Sequence, residues 1–211
     1  MILRLLSLFF LFYAWAFSNT LSWERAFSVS HAVKYLHMIV HYTDAEGKSH
    51  RLEYWRDGDR RLRRSTDDKM DLYAFKTKDG DYQYFVVNRQ KAIVVKINRT
   101  NLYRLGAFYN WYSLAHVLRR PPEKTYSVEA LKRKPYRLGN YYCNWYLIKE
   151  SQRSHSVCWS EKLGVPLLIE DQKGKTIWKV QKVSTQPIQD SVFRIRSDLL
   201  QIDADEEFYP E

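Results

Sequence analysis

Apolar and polar positions alternate with period two along much of the chain, most plainly from Val33 to Thr43. Leu36, Met38, Val40 and Tyr42 share one face there, and Val33, Tyr35, His37, Ile39 and His41 the other. The segment therefore predicts a long strand with one face more apolar than its reverse. Asp44-Ala45-Glu46-Gly47 predicts a turn, Ser49 to Arg56 the return strand, and Asp57-Gly58-Asp59 the next turn. Leu62 to Ser65 reads as a short, basic, solvated strand. Met70 to Thr77 and Tyr82 to Asn88 read as a hairpin about Lys78-Asp79-Gly80-Asp81, since Asp-Gly suits the left-handed positions of a tight turn. Lys91 to Asn98 follows as a β-branched strand, with Tyr103 to Leu105 as its extension.

The rhythm changes in two places. Thr20 to Ser28 predicts a short helix with Thr20 as N-cap and Trp23 and Phe27 one turn apart, placed to cover a sheet edge. From Ala107 to Arg120, Trp111, Leu114, Ala115 and Leu118 recur at helical spacing until Pro121-Pro122, and this apolar stripe is expected against the sheet. Tyr126 to Lys132 fits a helical turn or a strand, and Pro135 to Leu138 is extended. Leu167 to Glu170 and Ile177 to Ser184 flank the turn Asp171-Gln172-Lys173-Gly174, Val192 to Arg196 offers a last strand, and Asp203 to Glu211 is acidic and loose. The fold class is mainly β: one antiparallel sheet of about nine to eleven strands with few helices. A sheet of that size curls, and its concave face must be filled.

Both cysteines of the chain lie in one further hairpin, where Tyr141 to Ile148 and Ser156 to Ser160 flank the polar break from Lys149 to Ser154. With the turn centred on Glu150 and Ser151, Cys143 falls opposite Cys158, Tyr142 opposite Trp159, Tyr146 opposite His155 and Tyr141 opposite Ser160. Directly opposed Cβ atoms lie roughly 4.5 to 5.5 Å apart, a span that a disulfide bridges with little backbone movement, so Cys143 and Cys158 are expected to be bonded. Closing a loop of about 15 residues stabilises by roughly 3 kcal/mol.

The N-terminus agrees with an oxidising address. Met1 to Arg4 carries one positive charge, Leu5 to Phe17 is apolar except for Ser7, and the run ends in Ala14-Trp15-Ala16, the layout of a secretory signal peptide. Its apolar helix would rise only about 20 Å, short of the roughly 30 Å hydrocarbon core. The expected organisation is a signal peptide over residues 1–18, one domain over 19–200 and an acidic flexible tail over 201–211.

Composition then narrows the chemistry. Aromatic residues make up 16% of the chain against 7 Gly and 6 Pro, which fits a packed β protein and not a disordered one. Two thiols with no histidine at ligand spacing make no zinc site, and the two Asp-Gly-Asp triplets lack the spacing of a calcium loop. His37 and His41 stand about 13 Å apart along a strand, too far to share an ion. No G-x-S-x-G elbow, H-E-x-x-H pair or glycine-rich phosphate loop occurs, and Ser160 and His155 face different partners. No catalytic residue, metal or cofactor is expected, and the protein is read as not an enzyme. The net charge of +10, or +9 without Arg4, gathers at Arg60, Arg61, Arg63 and Arg64 and again at Arg119, Arg120, Lys132, Arg133 and Lys134. A secreted address excludes nucleic acid as the partner, whereas peripheral contact with an anionic membrane uses the same charge. Asn98-Arg99-Thr100 is an N-glycosylation sequon, meaningful only in a eukaryotic secretory route.

Gly139, Cys143 and Tyr146 before the hairpin turn, Cys158-Trp159 after it, and Gly164, Pro166 and Leu167 beyond, with Tyr54 and Arg63-Arg64 in the early strands, carry a resemblance. The chain resembles the half-barrel superfamily of periplasmic lipoprotein carriers, which takes in LolA- and LolB-like proteins and the RseB-like lipid-binding domain of sigma-E regulators. The resemblance implies an open barrel of about eleven strands with helices on its concave side, in the bacterial periplasm, holding a lipid or lipoprotein acyl chain without chemistry. The chain departs from the receptor branch in having no cysteine at the expected mature N-terminus, and it shows no sign of the second domain that sigma regulators carry. Alternation places Leu36, Met38, Val40, Leu52 and Tyr54 as ligand-binding residues, with Arg63 and Arg64 at the rim for an anionic headgroup. The alternative is an interaction or envelope-stress regulatory protein that docks a protein partner.

Overall fold

The structure, a computed structural model, describes residues 20–97 and 110–204. The signal peptide, the sequon, the extension at Tyr103, the helical reading before Asn110 and the end of the acidic tail lie outside these residues. The early alternating segments form strands, which run as β1 (Tyr35–Thr43), β2 (Ser49–Asp57), β3 (Arg61–Thr66), β4 (Met70–Lys76), β5 (Tyr82–Asn88) and β6 (Ile93–Ile97). After a gap come β7 (Tyr126–Ala130), β8 (Tyr136–Leu138), β9 (Tyr141–Glu150), β10 (Ser154–Ser160), β11 (Val165–Glu170), β12 (Thr176–Ser184) and β13 (Leu200–Asp203). The helices among the described residues are α1 (Trp23–Ala26) and α2 (Trp111–His116), with a 3-10 turn at Asp190–Phe193.

The strands form one 13-stranded sheet in the order β13-β6-β5-β4-β3-β2-β1-β12-β11-β10-β9-β7, with β8 paired to β9 off that path. Two meanders, β1 to β6 and β9 to β12, are joined edge to edge by the antiparallel pairing of β1 with β12. Only β13, on β6, pairs in parallel among the described residues. Thirteen strands exceed the nine to eleven expected, because the ambiguous segment at Tyr126 is a strand and because Leu200–Asp203, partly assigned to the loose tail, joins the sheet.

Several boundaries move for identifiable reasons. Leu21 still donates its N–H to the Val128 carbonyl at 2.8 Å, which holds the chain extended along β7, so α1 starts later and Ser22, not Thr20, is its N-cap. The helix does cover the sheet edge. Val117 adopts a left-handed φ of 48° and ends α2 well before Pro121-Pro122. Val192 to Arg196 is not a strand, since Arg61 pairs with Asp190 and Arg63 donates to the Val192 carbonyl at 2.9 Å, pinning a 3-10 turn against β3. Nor is β3 solvated: it lies between β2 and β4, with Leu62 and Ser65 buried.

The cysteine hairpin turns one residue later than expected, with Glu150 donating its N–H to the Arg153 carbonyl at 2.8 Å. Cys158 therefore lies opposite Trp145, Trp159 opposite Asn144 and His155 opposite Ile148. The Cys143–Cys158 disulfide forms nevertheless, diagonally, with the Cα atoms 5.1 Å apart.

Candidate functional site

On β1, Leu36, Met38 and Val40 face Arg56, Tyr54 and Leu52 of β2 in register. The five apolar members of this set, those expected to hold a ligand, are all at 0% exposure, packed with Leu163, Leu167 and Val180. The structure thus brings the five together. Surface cavities of about 320 to 560 Å³ are present, and none of those is lined by any of the five. The apolar face continues across β3 to β6 through Leu62, Ala74, Tyr84 and Ile97, and there Leu114 and Ala115 of α2 pack on it.

Arg63 and Arg64, paired in the sequence reading, are separated by the pleat. Consecutive strand residues point to opposite faces. Arg64 lies opposite Tyr54 and so shares the apolar face, whereas Arg63 lies between Trp55 and Tyr73 on the reverse face. Its guanidinium sits 4.9 Å from the Trp55 ring and 5.3 Å from the Tyr73 ring. One headgroup at one rim cannot meet both.

The polar group within this face is Arg56, an arginine at an inward position of β2 that is only 2% exposed. No carboxylate pairs with it among the described residues. Three carbonyls take its protons instead: Ala115 at 2.8 Å, Leu163 at 2.9 Å and Val33 at 3.2 Å. Tyr54 donates its hydroxyl to the same Ala115 carbonyl at 2.8 Å, and burial pushes this phenol up to about 12. Beside them His116 Nδ1 stands 2.7 Å from the Gly164 carbonyl and 3.1 Å from Arg56 Nη1. A carbonyl only accepts, so Nδ1 carries the proton and its approach to Arg56 is a contact between two donors. Burial first and the Arg56 charge second lower the His116 pKa to about 4, leaving the ring neutral. Tyr54, Arg56 and His116 together tie the C-terminal end of α2 to the sheet and to the loop at Leu163–Gly164. Sequence reasoning passed over Arg56 and His116. The available signal was the alternation itself, which puts Arg56 on the face of Leu52 and Tyr54.

Several titratable groups elsewhere are held in pairs. His50 is clamped by Asp67 at 2.7 Å and Asp44 at 2.9 Å, and these bonds, Asp67 first, raise its pKa while lowering those of both aspartates. His37 meets Glu53 at 2.9 Å and stacks on Trp55. The basic clusters are largely paired: Arg60 and Arg61 on buried Asp57, Arg120 on Glu24, and Arg133 on Glu170 and over the Trp145 ring. No group of three metal-ligating side chains gathers among the described residues, and no described helix is long and apolar enough to cross a membrane.

No family model matches the chain, and no curated protein matches it. Solved structures do. The chain is similar to MucB at 12% identity and TM-score 0.46, over 84% of this chain and 63% of that one. MucB in complex with MucA(peri) also matches, at 13% identity and TM-score 0.38, over 80% and 56%. PNGF-II matches at 11% identity and TM-score 0.42, over 81% and 31%, so the chain spans less than two thirds of the length of these proteins. A LolA superfamily protein, NE2245 from Nitrosomonas europaea, matches at 8% identity and TM-score 0.34, over 82% and 95%. At such scores the likeness transfers no ligand, partner or activity to this chain.

Proposed function

We propose that the protein is an extracytoplasmic, periplasmic binding protein that carries out no chemistry and holds a hydrophobic ligand, an acyl chain, on the apolar face of its sheet. The observation that carries this reading is the cover over that face. The face runs from Leu36, Met38 and Val40 through Leu52 and Tyr54 and, past Arg56 and Arg64, on to Leu62, Ala74 and Tyr84, and over its β3 to β6 half lies α2, a helix of six residues. So short a helix has little stability of its own and depends on its ties to the sheet. Displacing it would open the face, which in this reading curves round the chain as a half-barrel does, with Arg64 beside Tyr54 to meet an anionic head. The Cys143–Cys158 disulfide supports an oxidising compartment.

A second reading is favoured by the complete burial of the five apolar side chains: the face is a filled core, and the protein acts by docking a protein partner, as MucB does with MucA(peri). Titration of delipidated protein with a fluorescent fatty acid separates the two. The first reading expects saturable binding that Met38→Gln weakens while the variant still folds. No binding of any lipid by the wild type, with Met38→Gln costing only stability, would leave the docking reading.

A further inference from the structure

On the face of the sheet opposite to Leu36 and Tyr54, the strands β3, β4 and β5 and the segment after the 3-10 turn enclose a cavity of about 320 Å³. Arg63, Arg89, Arg194 and Arg196 line it, with Asp71 as the one carboxylate among the lining residues. Asp71 is buried and already engaged: Arg89 donates to it at 2.8 and 2.9 Å and Arg63 at 3.2 Å. Asp198 hydrogen-bonds Arg196 and Asp68 lies 3.9 Å from Arg89, the two carboxylates being 63% and 67% exposed, so water screens their charge. Arg194 makes no ion pair among the described residues, and Arg63 Nε is buried with no acceptor. A buried guanidinium N–H without an acceptor costs free energy and adds to the local excess of donors over acceptors.

The rest of the lining is apolar. Tyr73, Val87 and Leu199 are core residues of this face, with Ile195 packed against them. Four guanidinium groups against buried Asp71 and the exposed partners Asp68 and Asp198 still leave a positive excess at the cavity. Arginine forks suit oxyanions, and a phosphate offers three terminal oxygens that separate guanidinium groups can share, where a second carboxylate offers two.

We propose that this cavity is a binding site for a phosphate group, free or carried on an apolar substituent that Tyr73, Val87 and Ile195 would cover. The site stands on the opposite face from the proposed acyl-chain surface and does not depend on that reading. It needs no chemistry, only the exchange of solvent for a ligand. Neither the four arginines nor the apolar wall is contiguous in the sequence. The cavity exists because Arg61 and Arg63 hold the 3-10 turn against β3 and set the segment from Arg194 to Leu199 over β4 and β5.

Isothermal titration of the full mature chain with hexyl phosphate, and separately with inorganic phosphate, tests the site. Saturable binding of at least one is expected, weakened about tenfold or more by Arg194→Ala, the scale of losing one charged hydrogen bond. The melting temperature should hold, since Arg194 is exposed and makes no ion pair among the described residues. Tighter binding of hexyl phosphate, reduced by Ile195→Ser, supports a phosphate carried on an apolar group; equal binding of the two supports free phosphate. No saturable binding of either compound, or an Arg194→Ala protein that binds as the wild type does, would overturn the proposal.

Discussion

Arg56 Nη1 lies 2.8 Å from the Ala115 carbonyl oxygen, so a cation on β2 closes the last turn of a helix 59 residues away in the chain. The same guanidinium also holds the Leu163 and Val33 carbonyls, which places three separate segments on one side chain. Arg56→Met keeps the volume and removes every one of these bonds. The Leu163 and Val33 carbonyls lose their donor while the Ala115 carbonyl keeps that of Tyr54, and urea denaturation should show a loss of roughly 2 to 4 kcal/mol. Arg56→Lys should recover little, because a point ammonium cannot reach three carbonyls in the directions a planar fork does. A change under about 1 kcal/mol for Arg56→Met would show that the tie carries no weight.

The neutral His116 makes stability depend on acidity. Its pKa is about 4 in the folded chain against an ordinary 6.5. Between these values the unfolded chain binds the proton and the folded chain does not, so this residue's contribution to stability falls as pH drops from 6.5 and levels off below 4. The whole effect is on the order of 3 kcal/mol. Subtracting the denaturation profile of His116→Gln from that of the wild type should isolate it. The difference is expected to vary with pH inside that window and to be flat above pH 7.

Gly164 closes the same corner. It adopts φ of +65°, and a Cβ there would stand 2.8 Å from Ala32 Cβ and 3.2 Å from His116 Nδ1. Gly164→Ala therefore adds a clash to the left-handed penalty of roughly 1 to 2 kcal/mol. Gly174, at φ +77° with nothing within 4 Å of a Cβ, provides the control. Gly174→Ala should cost about 1 kcal/mol and Gly164→Ala clearly more, by thermal or chemical denaturation. Equal losses would mean that the corner yields freely.

What the sequence made legible, and what it hid, follows from the period of each element. Alternation marks strands residue by residue, so β1, β2, β4, β5 and the inward set Leu36, Met38, Val40, Leu52 and Tyr54 were readable. The hairpin register was misread, with Cys143 set opposite Cys158 when Trp145 occupies that position. Both cysteines nevertheless stayed on one face, because a turn displaced by one residue moves the partner by two, and strand residues two apart share a face. The disulfide could therefore be foreseen from the wrong partner. By contrast, grouping Arg63 with Arg64 ignored that same alternation. The 3-10 turn at Asp190–Phe193 was hidden for another reason: its ties to Arg61 and Arg63 are made about 129 residues apart, beyond any local pattern. Arg56 hides in plain composition, since an arginine looks solvated until its strand is known to be central.

Tyr54 offers the sharpest division between a filled core and a covered ligand face. Its hydroxyl donates to the Ala115 carbonyl at 2.8 Å, alongside the Arg56 guanidinium, and its ring lies fully buried in the apolar set. Tyr54→Phe removes that one bond and keeps the ring. In either reading the folded state should lose about 1 kcal/mol. The readings part over what α2 does next. If the protein takes up an acyl chain by displacing α2, the closed state competes with the ligand, and weakening the tie by 1 kcal/mol raises the open population about fivefold. Apparent affinity for a fluorescent fatty acid should then rise by up to the same factor even as the melting temperature falls. A less stable protein that binds more tightly is an outcome the filled-core reading does not produce. Under that reading Tyr54→Phe lowers stability alone, and neither it nor the wild type binds the probe. The expected result is tighter binding by the variant, and equal or weaker binding at the lowered melting temperature would remove α2 as the gate.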